Sequence, residues 1–410
     1  MNVLYSISVL AYSFIIRMVS PFNSKARKWL KGRENWRANL NSLVGDQENI
    51  IWVHAASLGE AEQALPIIEK IKELDVNSTI LLSFFSPSGF ENFKNRDKVD
   101  LCCYLPIDSP SNARDFIEIV NPKMAIFIKY EIWVHYFKTL YKKAIPFFLT
   151  SALFRENQFY FRKPYRQFFL PILNMVNHIM VQNESSLLLL QKNGIQNSSI
   201  CGETRIDRVL KLRDIEFSDP ILESFSTKKP ILIAGSSWPV EELMIQNFLS
   251  EYPNLKVILA PHDISQSHIS QITDLFGDYK LSLYSQNMDC RDAQILLIDN
   301  IGLLSRIYRY ADIAFIGGGF GKGLHSTIEA SVYGLPVIFG PKHQSFIEPS
   351  EMKKLGAGFE VNDDTDFEKT LSSLLKNPEQ LQNASKAAED FVKSKSGAVE
   401  HILSRIKAHL

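Results

Sequence analysis

A glutamate at the end of a buried strand is the residue with the clearest chemistry to do. The run Ile50-Ile-Trp-Val-His-Ala-Ala-Ser-Leu-Gly-Glu60 reads as an apolar strand, then a small-residue turn, then the start of a helix. That order places Glu60 at the carboxyl end of a parallel strand, where open α/β sheets bind ligands. A carboxylate there is a candidate general base. The spacing Ser57-Leu-Gly-Glu60 also fits a capping box, in which Ser caps the helix and Glu reaches back to free N–H groups. Spacing alone favours capping. A helix N-terminus lowers the basicity of a carboxylate, whereas a useful base has a pKa nearer the working pH. Burial of Glu60 would have to offset the helix dipole.

A second segment, Ala311-Asp-Ile-Ala-Phe-Ile-Gly-Gly-Gly-Phe-Gly-Lys-Gly-Leu-His-Ser-Thr-Ile-Glu329, reads as strand, glycine-rich loop and helix. Glycines let a backbone approach a phosphate closely. Lys322 or Leu324 stands where the dinucleotide fingerprint needs its last glycine, and Gly323 follows Lys322 where a P-loop needs Ser or Thr. A dehydrogenase or P-loop NTPase is therefore disfavoured, and a nucleotide-sugar site stays open. Ser326-Thr-Ile-Glu329 repeats the capping-box spacing. Arg205 and Arg208, in Gly202-Glu-Thr-Arg-Ile-Asp-Arg208, are candidates for phosphate, although arginines beside a linker are more often solvated. Glu131 after another strand suits a sugar hydroxyl, and His262 closes a further strand. Asp364-Thr-Asp366 has a metal-binding spacing but sits in a polar stretch that reads as surface.

These residues need a scaffold. Strands are expected at Ile50–His54, Thr79–Phe84, Val99–Tyr104, Met124–Ile128, Pro146–Leu149, His178–Val181 and Ser199–Gly202, with helices such as Gly59–Leu74 and Ser109–Val120 between them. The series restarts at 230–237 and continues at Lys256–Ala260, Gln294–Ile298, Asp312–Ile316 and Pro336–Phe339. Such βαβ alternation predicts parallel sheets. The expected fold is α/β, with two doubly wound Rossmann-like domains at 25–204 and 230–377 and a cleft between them. Residues 205–229 form the linker, and 378–410 form a helical segment that could pack back on the first domain.

Bulk properties narrow the function. A chain of 410 residues is long enough for two domains. Zero formal net charge argues against a dedicated nucleic-acid binder. Cys102, Cys103, Cys201 and Cys290 lack CxxC spacing, so a disulfide framework is not expected. No zinc pattern appears. Residues 1–20 are mostly apolar, and Lys25, Arg27, Lys28, Lys31, Arg33 and Arg37 follow. An ordinary core helix is the bland reading. The order of apolar run and basic cluster, with Trp29 and Trp36 among the cations, favours a membrane anchor or interfacial helix over 1–24, with the basic side cytoplasmic.

Taken in order, the blocks resemble the bacterial 3-deoxy-D-manno-octulosonic acid (Kdo) transferase family. They are His54-Ala-Ala-Ser-Leu-Gly-Glu60, Tyr104-Leu-Pro-Ile-Asp108, Tyr130-Glu-Ile-Trp133, Thr150-Ser-Ala-Leu153, Gly202-Glu-Thr-Arg-Ile-Asp207, Ala311-Asp-Ile-Ala-Phe-Ile-Gly-Gly318, His325-Ser-Thr-Ile-Glu329 and Gly334-Leu-Pro-Val-Ile-Phe-Gly-Pro341. The resemblance implies a GT-B glycosyltransferase using CMP-Kdo as donor and lipid IVA as acceptor, without a metal or other cofactor, at the cytoplasmic face of the inner membrane. It implies Glu60 as general base. Donor contacts would come from Arg205, His262, Gly317, Gly318, Lys322, Ser326 and Glu329, and acceptor contacts from Ser57, Gly59 and Glu131. The chain departs from the family's pattern at Lys129, acidic in many members, at His262, where many have Arg, and at Ser326, where many have Asn. The competing readings are a GT-B enzyme acting on a UDP-sugar, either a transferase or a UDP-N-acetylglucosamine 2-epimerase, and a membrane-docked scaffold without catalysis.

Overall fold

A computed structural model describes residues 2–410, apart from 94, 95, 130, 131, 229, 287, 288, 322 and 345. The chain forms two compact units, one of Met1–Asp207 with Ser396–Leu410 and one of Arg208–Lys395.

The first unit is built on seven parallel strands: β1 (Ile50–Ala55), β2 (Thr79–Phe84), β3 (Leu101–Tyr104), β4 (Met124–Ile128), β5 (Phe147–Ala152), β6 (His178–Val181) and β7 (Ser198–Ile200). Their order in the sheet is β3-β2-β1-β4-β5-β6-β7. Helices cover both faces, so the central strands are buried on both sides and read as continuous apolar runs. In β1, Ile51 and Val53 join one core and Trp52 the opposite one. Trp52 packs against Phe116, Phe127 and Tyr136, with ring centroids 4.9–5.6 Å apart. Each such side chain contributes roughly 1.5–3 kcal/mol by leaving water.

The second unit repeats the plan with β8 (Ile231–Ser237), β9 (Lys256–Pro261), β10 (Leu281–Leu283), β11 (Ile295–Leu297), β12 (Ile313–Ile316), β13 (Val337–Phe339) and β14 (Gly358–Glu360), ordered β10-β11-β9-β8-β12-β13-β14. β10 and β14 are absent from the strands expected from sequence. Both are three-residue edge strands, mostly half-buried, and too short to carry a pattern.

The segment expected as a linker, 205–229, contains the helices Thr204–Asp214 and Pro220–Phe225, and the division between units falls inside the first of them. The return to the first unit comes after Lys395, later than the expected 377/378. The helix Pro378–Lys395 stays in the second unit because it buries Ala384, Ala388, Phe391 and Val392 there. The last helix, Ala398–Ile406, sets Ile402, Leu403 and Ile406 against Ile67, Ile68 and Ile71 of the helix Leu58–Leu74. Asp207 caps its start, accepting from the N–H groups of Gly397 (2.7 Å) and Val399 (2.8 Å). All four cysteines are free.

The N-terminal helix Asn2–Val19 is long and apolar enough to cross a membrane, and none of its residues is buried. One face is held to the first unit. Tyr5 donates to Asp108 (2.6 Å), Ser6 bonds His135 (2.9 Å), and Tyr12 lies on Trp29 and Phe85. The other face carries Val3, Ile7, Leu10, Phe14 and Met18, each at least half exposed.

Candidate functional site

In each sheet the first strand sits in the middle, flanked by the second strand on one side and a later strand on the other. This is the topological switch point, where loops diverge to opposite faces and leave a crevice at the strand ends. The candidate residues gather at these two points.

In the first unit β1 and β4 flank the switch point. Glu60 lies in the first turn of the helix Leu58–Leu74 and is only 7% exposed. Its carboxylate accepts from the N–H groups of Ala56 (2.5 Å) and Ser57 (3.2 Å), so the reach-back of a capping box is made. Burial nevertheless pushes its pKa above the ordinary carboxylate value, outweighing the nearby Lys129 charge and the two N–H groups. Capping and basicity thus coexist, because desolvation penalises the charged form more than the local dipoles favour it.

Lys129 follows β4 with φ +63°, a left-handed conformation that a lysine adopts only when its surroundings impose it. Its N–H donates to Thr150 O at 2.8 Å. Ser57, the N-cap of the helix that carries Glu60, is half-buried, and Gly59 is exposed. A methyl group added at Gly59 would meet nothing within 4 Å. Gly59→Ala should therefore leave the fold intact and stabilise the helix by about 0.5–1 kcal/mol. Chemical denaturation checks this, and a destabilised variant would show that the space is not open. Glu131 lies outside the described residues.

Arg205 is engaged within the first unit. It donates to Glu203 at 3.1 Å, and the buried Glu203 carboxylate also accepts from the amides of Gln63 (2.8 Å) and Gln182 (2.8 Å). Arg208 belongs to the second unit, where its charge is a neighbour of Glu329. Arg208 thus lies beside a donor candidate of its own unit.

In the second unit the switch point lies between β8 and β12. Gly317 directly follows β12, and its position leaves no room for a side chain: an added Cβ would stand 2.1 Å from Ser236 O. Gly318 (φ +89°) gives its N–H to the Glu241 carboxylate at 2.7 Å. Glu241 also accepts from the Trp238 N–H (3.0 Å), which repeats in this unit the reach-back made by Glu60. The Ser326–Glu329 capping box expected from spacing does not form. The helix there is only Ile328–Ser331, with Thr327 at its N-cap and no side-chain cap bond. The glycine loop delays the start of the helix, which leaves Ser326 outside it and Glu329 one position early. Both side chains are half-buried. Lys322 lies outside the described residues.

His262 is the middle member of a ring stack. Trp238 lies 4.7 Å away on one side and His325 4.6 Å away on the other, with interplanar angles of 25° and 29°. Burial and the His262 charge lower the pKa of His325, and Trp238 Nε1 donates to its Nε2 at 3.4 Å. A stack of this kind presents flat aromatic faces beside the glycine loop. Sequence reasoning missed Trp238, Glu241 and His325. The one legible signal was Trp238-Pro-Val-Glu241, with Pro at the first helical position and Glu two residues later. Asp364-Thr-Asp366 opens the helix Asp364–Lys376, and Asp366 bonds Asn362, as a surface cap would.

Two seven-stranded parallel sheets of this order, with candidate residues at both switch points, define the GT-B fold. The family profile described as 3-Deoxy-D-manno-octulosonic-acid transferase (kdotransferase) matches residues 32–208. The chain is 27% identical over 346 residues to a 3-deoxy-D-manno-octulosonic acid transferase of Aquifex aeolicus, covering 83% of this chain and 90% of that one. It is 26% identical over 374 residues to the enzyme of that name from Haemophilus influenzae, covering 88% and 87%. Among solved structures, a putative UDP-N-acetylglucosamine 2-epimerase from Listeria monocytogenes shares the fold with a TM-score of 0.62, at 14% identity, covering 88% of this chain and 96% of that one. Over most of its length the chain is similar to 3-deoxy-D-manno-octulosonic acid transferases, and its residues 32–208 match that family's profile, which supports a glycosyltransferase.

Proposed function

We propose that the chain transfers Kdo from CMP-Kdo to a hydroxyl of lipid IVA, inverting the anomeric centre and using no metal. The observation that carries this reading is Glu60, a buried carboxylate with a raised pKa at the β1–β4 switch point, inside the segment that matches the Kdo transferase profile. Glu60 takes the proton of the acceptor hydroxyl. The acceptor oxygen bonds to the anomeric carbon of Kdo as the bond from that carbon to the phosphate oxygen breaks, and CMP leaves. Ser57 and the open space over Gly59 receive the acceptor. The backbone at Gly317 and Gly318, with Ser326 and Glu329, holds the ribose and phosphate of CMP, and the His262 stack lies beside them. Arg205 contacts the phosphate, and Arg208, the cation next to Glu329, adds a second positive charge. Fixed donors and cations stabilise the leaving phosphate, so turnover should be unchanged by EDTA; a rate restored only by a divalent ion would refute this.

The deciding experiment is a mass-resolved assay with lipid IVA, in-situ CMP-Kdo and detergent, alongside a nucleotide thermal-shift panel. A product heavier by whole Kdo units and stabilisation by CMP are expected. Stabilisation by UDP but not by CMP would overturn the donor assignment.

The same reading places the chain on the cytoplasmic face of the inner membrane. The helix Asn2–Val19 is pinned along one face and apolar along the other, which suits lying in the interface. Phe22, 92% exposed, extends that surface. Replacing both Ile7 and Phe14 with glutamate should weaken binding to anionic vesicles by about tenfold or more. Flotation measures this, and unchanged binding would refute the docking face.

A further inference from the structure

A groove of about 600 Å³ lies in the first unit, remote in sequence from the Glu60 turn. One wall is the helix Trp36–Val44, which contributes Trp36, Leu40 and Leu43. The other is the edge strand β3 with the helix Pro87–Asn92, where Phe90 and Tyr104 face each other at 4.4 Å. Lys28 and Lys31 stand at its rim, both exposed and without an ion pair among the described residues. Glu91, also in the lining, is occupied by the Tyr104 hydroxyl at 3.1 Å. The groove is therefore an apolar trough with a cationic rim.

Two connections give it a direction. A second groove, of about 350 Å³, is lined by Trp29 and Leu30 of the helix that bears Lys28 and Lys31, shares Trp36 with the first, and includes Arg17 from the N-terminal helix with the exposed apolar face. At its inner side, the helix Pro87–Asn92 abuts the Glu60 turn: a Cβ at Gly89 would lie 3.2 Å from the Ser57 carbonyl carbon, and the next residue, Phe90, lines the groove. The trough thus links residues beside the exposed apolar helix to the turn that holds Glu60.

We propose that this groove binds the lipid acceptor, seating an alkyl chain against Trp36, Leu40, Leu43 and Phe90 and an acceptor phosphate against Lys28 and Lys31. The proposal rests on the lipid-acceptor reading given above. Apolar burial supplies the affinity, and the two ammonium groups select an anionic head.

The test is calorimetric titration of the full chain with n-dodecyl phosphate below its micelle concentration. Saturable binding is expected, and n-dodecanol should bind more weakly. Leu43→Glu, on a partly exposed helical position, and the double variant Lys28→Glu/Lys31→Glu should each bind dodecyl phosphate about tenfold more weakly. Both variants should keep the wild-type thermal shift with CMP, which reports that they are folded. Lipid IVA should displace the probe, and phosphatidylglycerol at the same concentration should not. Absence of saturable binding, either variant binding as wild type, or equal displacement by phosphatidylglycerol would overturn the proposal. None of these readouts needs turnover, so a chain that passes them and transfers no Kdo would fail in the function assigned above and not in the groove.

Discussion

Glu60→Gln should lower turnover by about 10²–10⁴-fold, the usual contribution of a positioned general base, while leaving CMP binding at its wild-type value. Glutamine keeps the volume and one acceptor oxygen for the Ala56 and Ser57 N–H groups, so the turn survives and only proton acceptance is lost. Turnover separates this from a merely structural role, and stability reports whether the turn survives. Burial raises the folded-state pKa of Glu60 above its unfolded value. The folded protein then binds more protons than the unfolded one between the two values, and stability falls as pH rises through that window. Above it, the wild type carries the cost of a buried charge that the glutamine variant lacks. The variant should therefore be within about 1 kcal/mol of wild type at neutral pH. The wild-type rate should fall on acidification with a midpoint above the ordinary carboxylate range, as Glu60 becomes protonated. Steady-state rates and denaturation curves for both proteins provide the check. A variant turning over near the wild-type rate would remove Glu60 from the chemistry.

Gly317→Ala should have the largest structural effect among the loop glycines. The added methyl carbon would fall 2.1 Å from Ser236 O and 2.7 Å from Ser237 Cα, both backbone atoms of β8. Side chains can swing away, but here one of two central strands must move. Ser236 is itself held at φ +53°, which leaves that stretch little freedom to adjust. A cost of about 1–3 kcal/mol follows, together with loss of the CMP thermal shift, because the Gly318 N–H would no longer sit on Glu241. Urea denaturation and the nucleotide panel test this, and an alanine variant with wild-type stability and CMP response would show that β8 and the loop are not in contact as described. Gly59 makes the contrast: the same substitution meets open space and should be tolerated.

Local pattern carried much of the fold. β2, β4 and β6 lie where their β-branched and apolar runs end, since strands buried on both faces leave an unbroken signal. β10 and β14 have three residues each at sheet edges and left no such signal. Ser57–Glu60 and Ser326–Glu329 show where pattern stops. The spacing is identical, yet one makes the reach-back and the other does not, because Gly317, Gly318 and Gly319 are held in close backbone contacts and the helix begins only at Ile328.

By itself the sequence determined the alternation of strand and helix, the placement of Glu60 and of the glycine loop at strand ends, and the apolar character of the first helix. These follow from periodicity and short-range sterics. Only the tertiary structure decided the basicity of Glu60, which depends on what buries it. The same holds for the stack of Trp238, His262 and His325, for the use of Arg205 by Glu203, and for the tie between Glu241 and Gly318. The stack and the Glu241–Gly318 tie join ends of strands far apart in the chain, and the order of those strands in the sheet, which no local pattern encodes, is what brings them together.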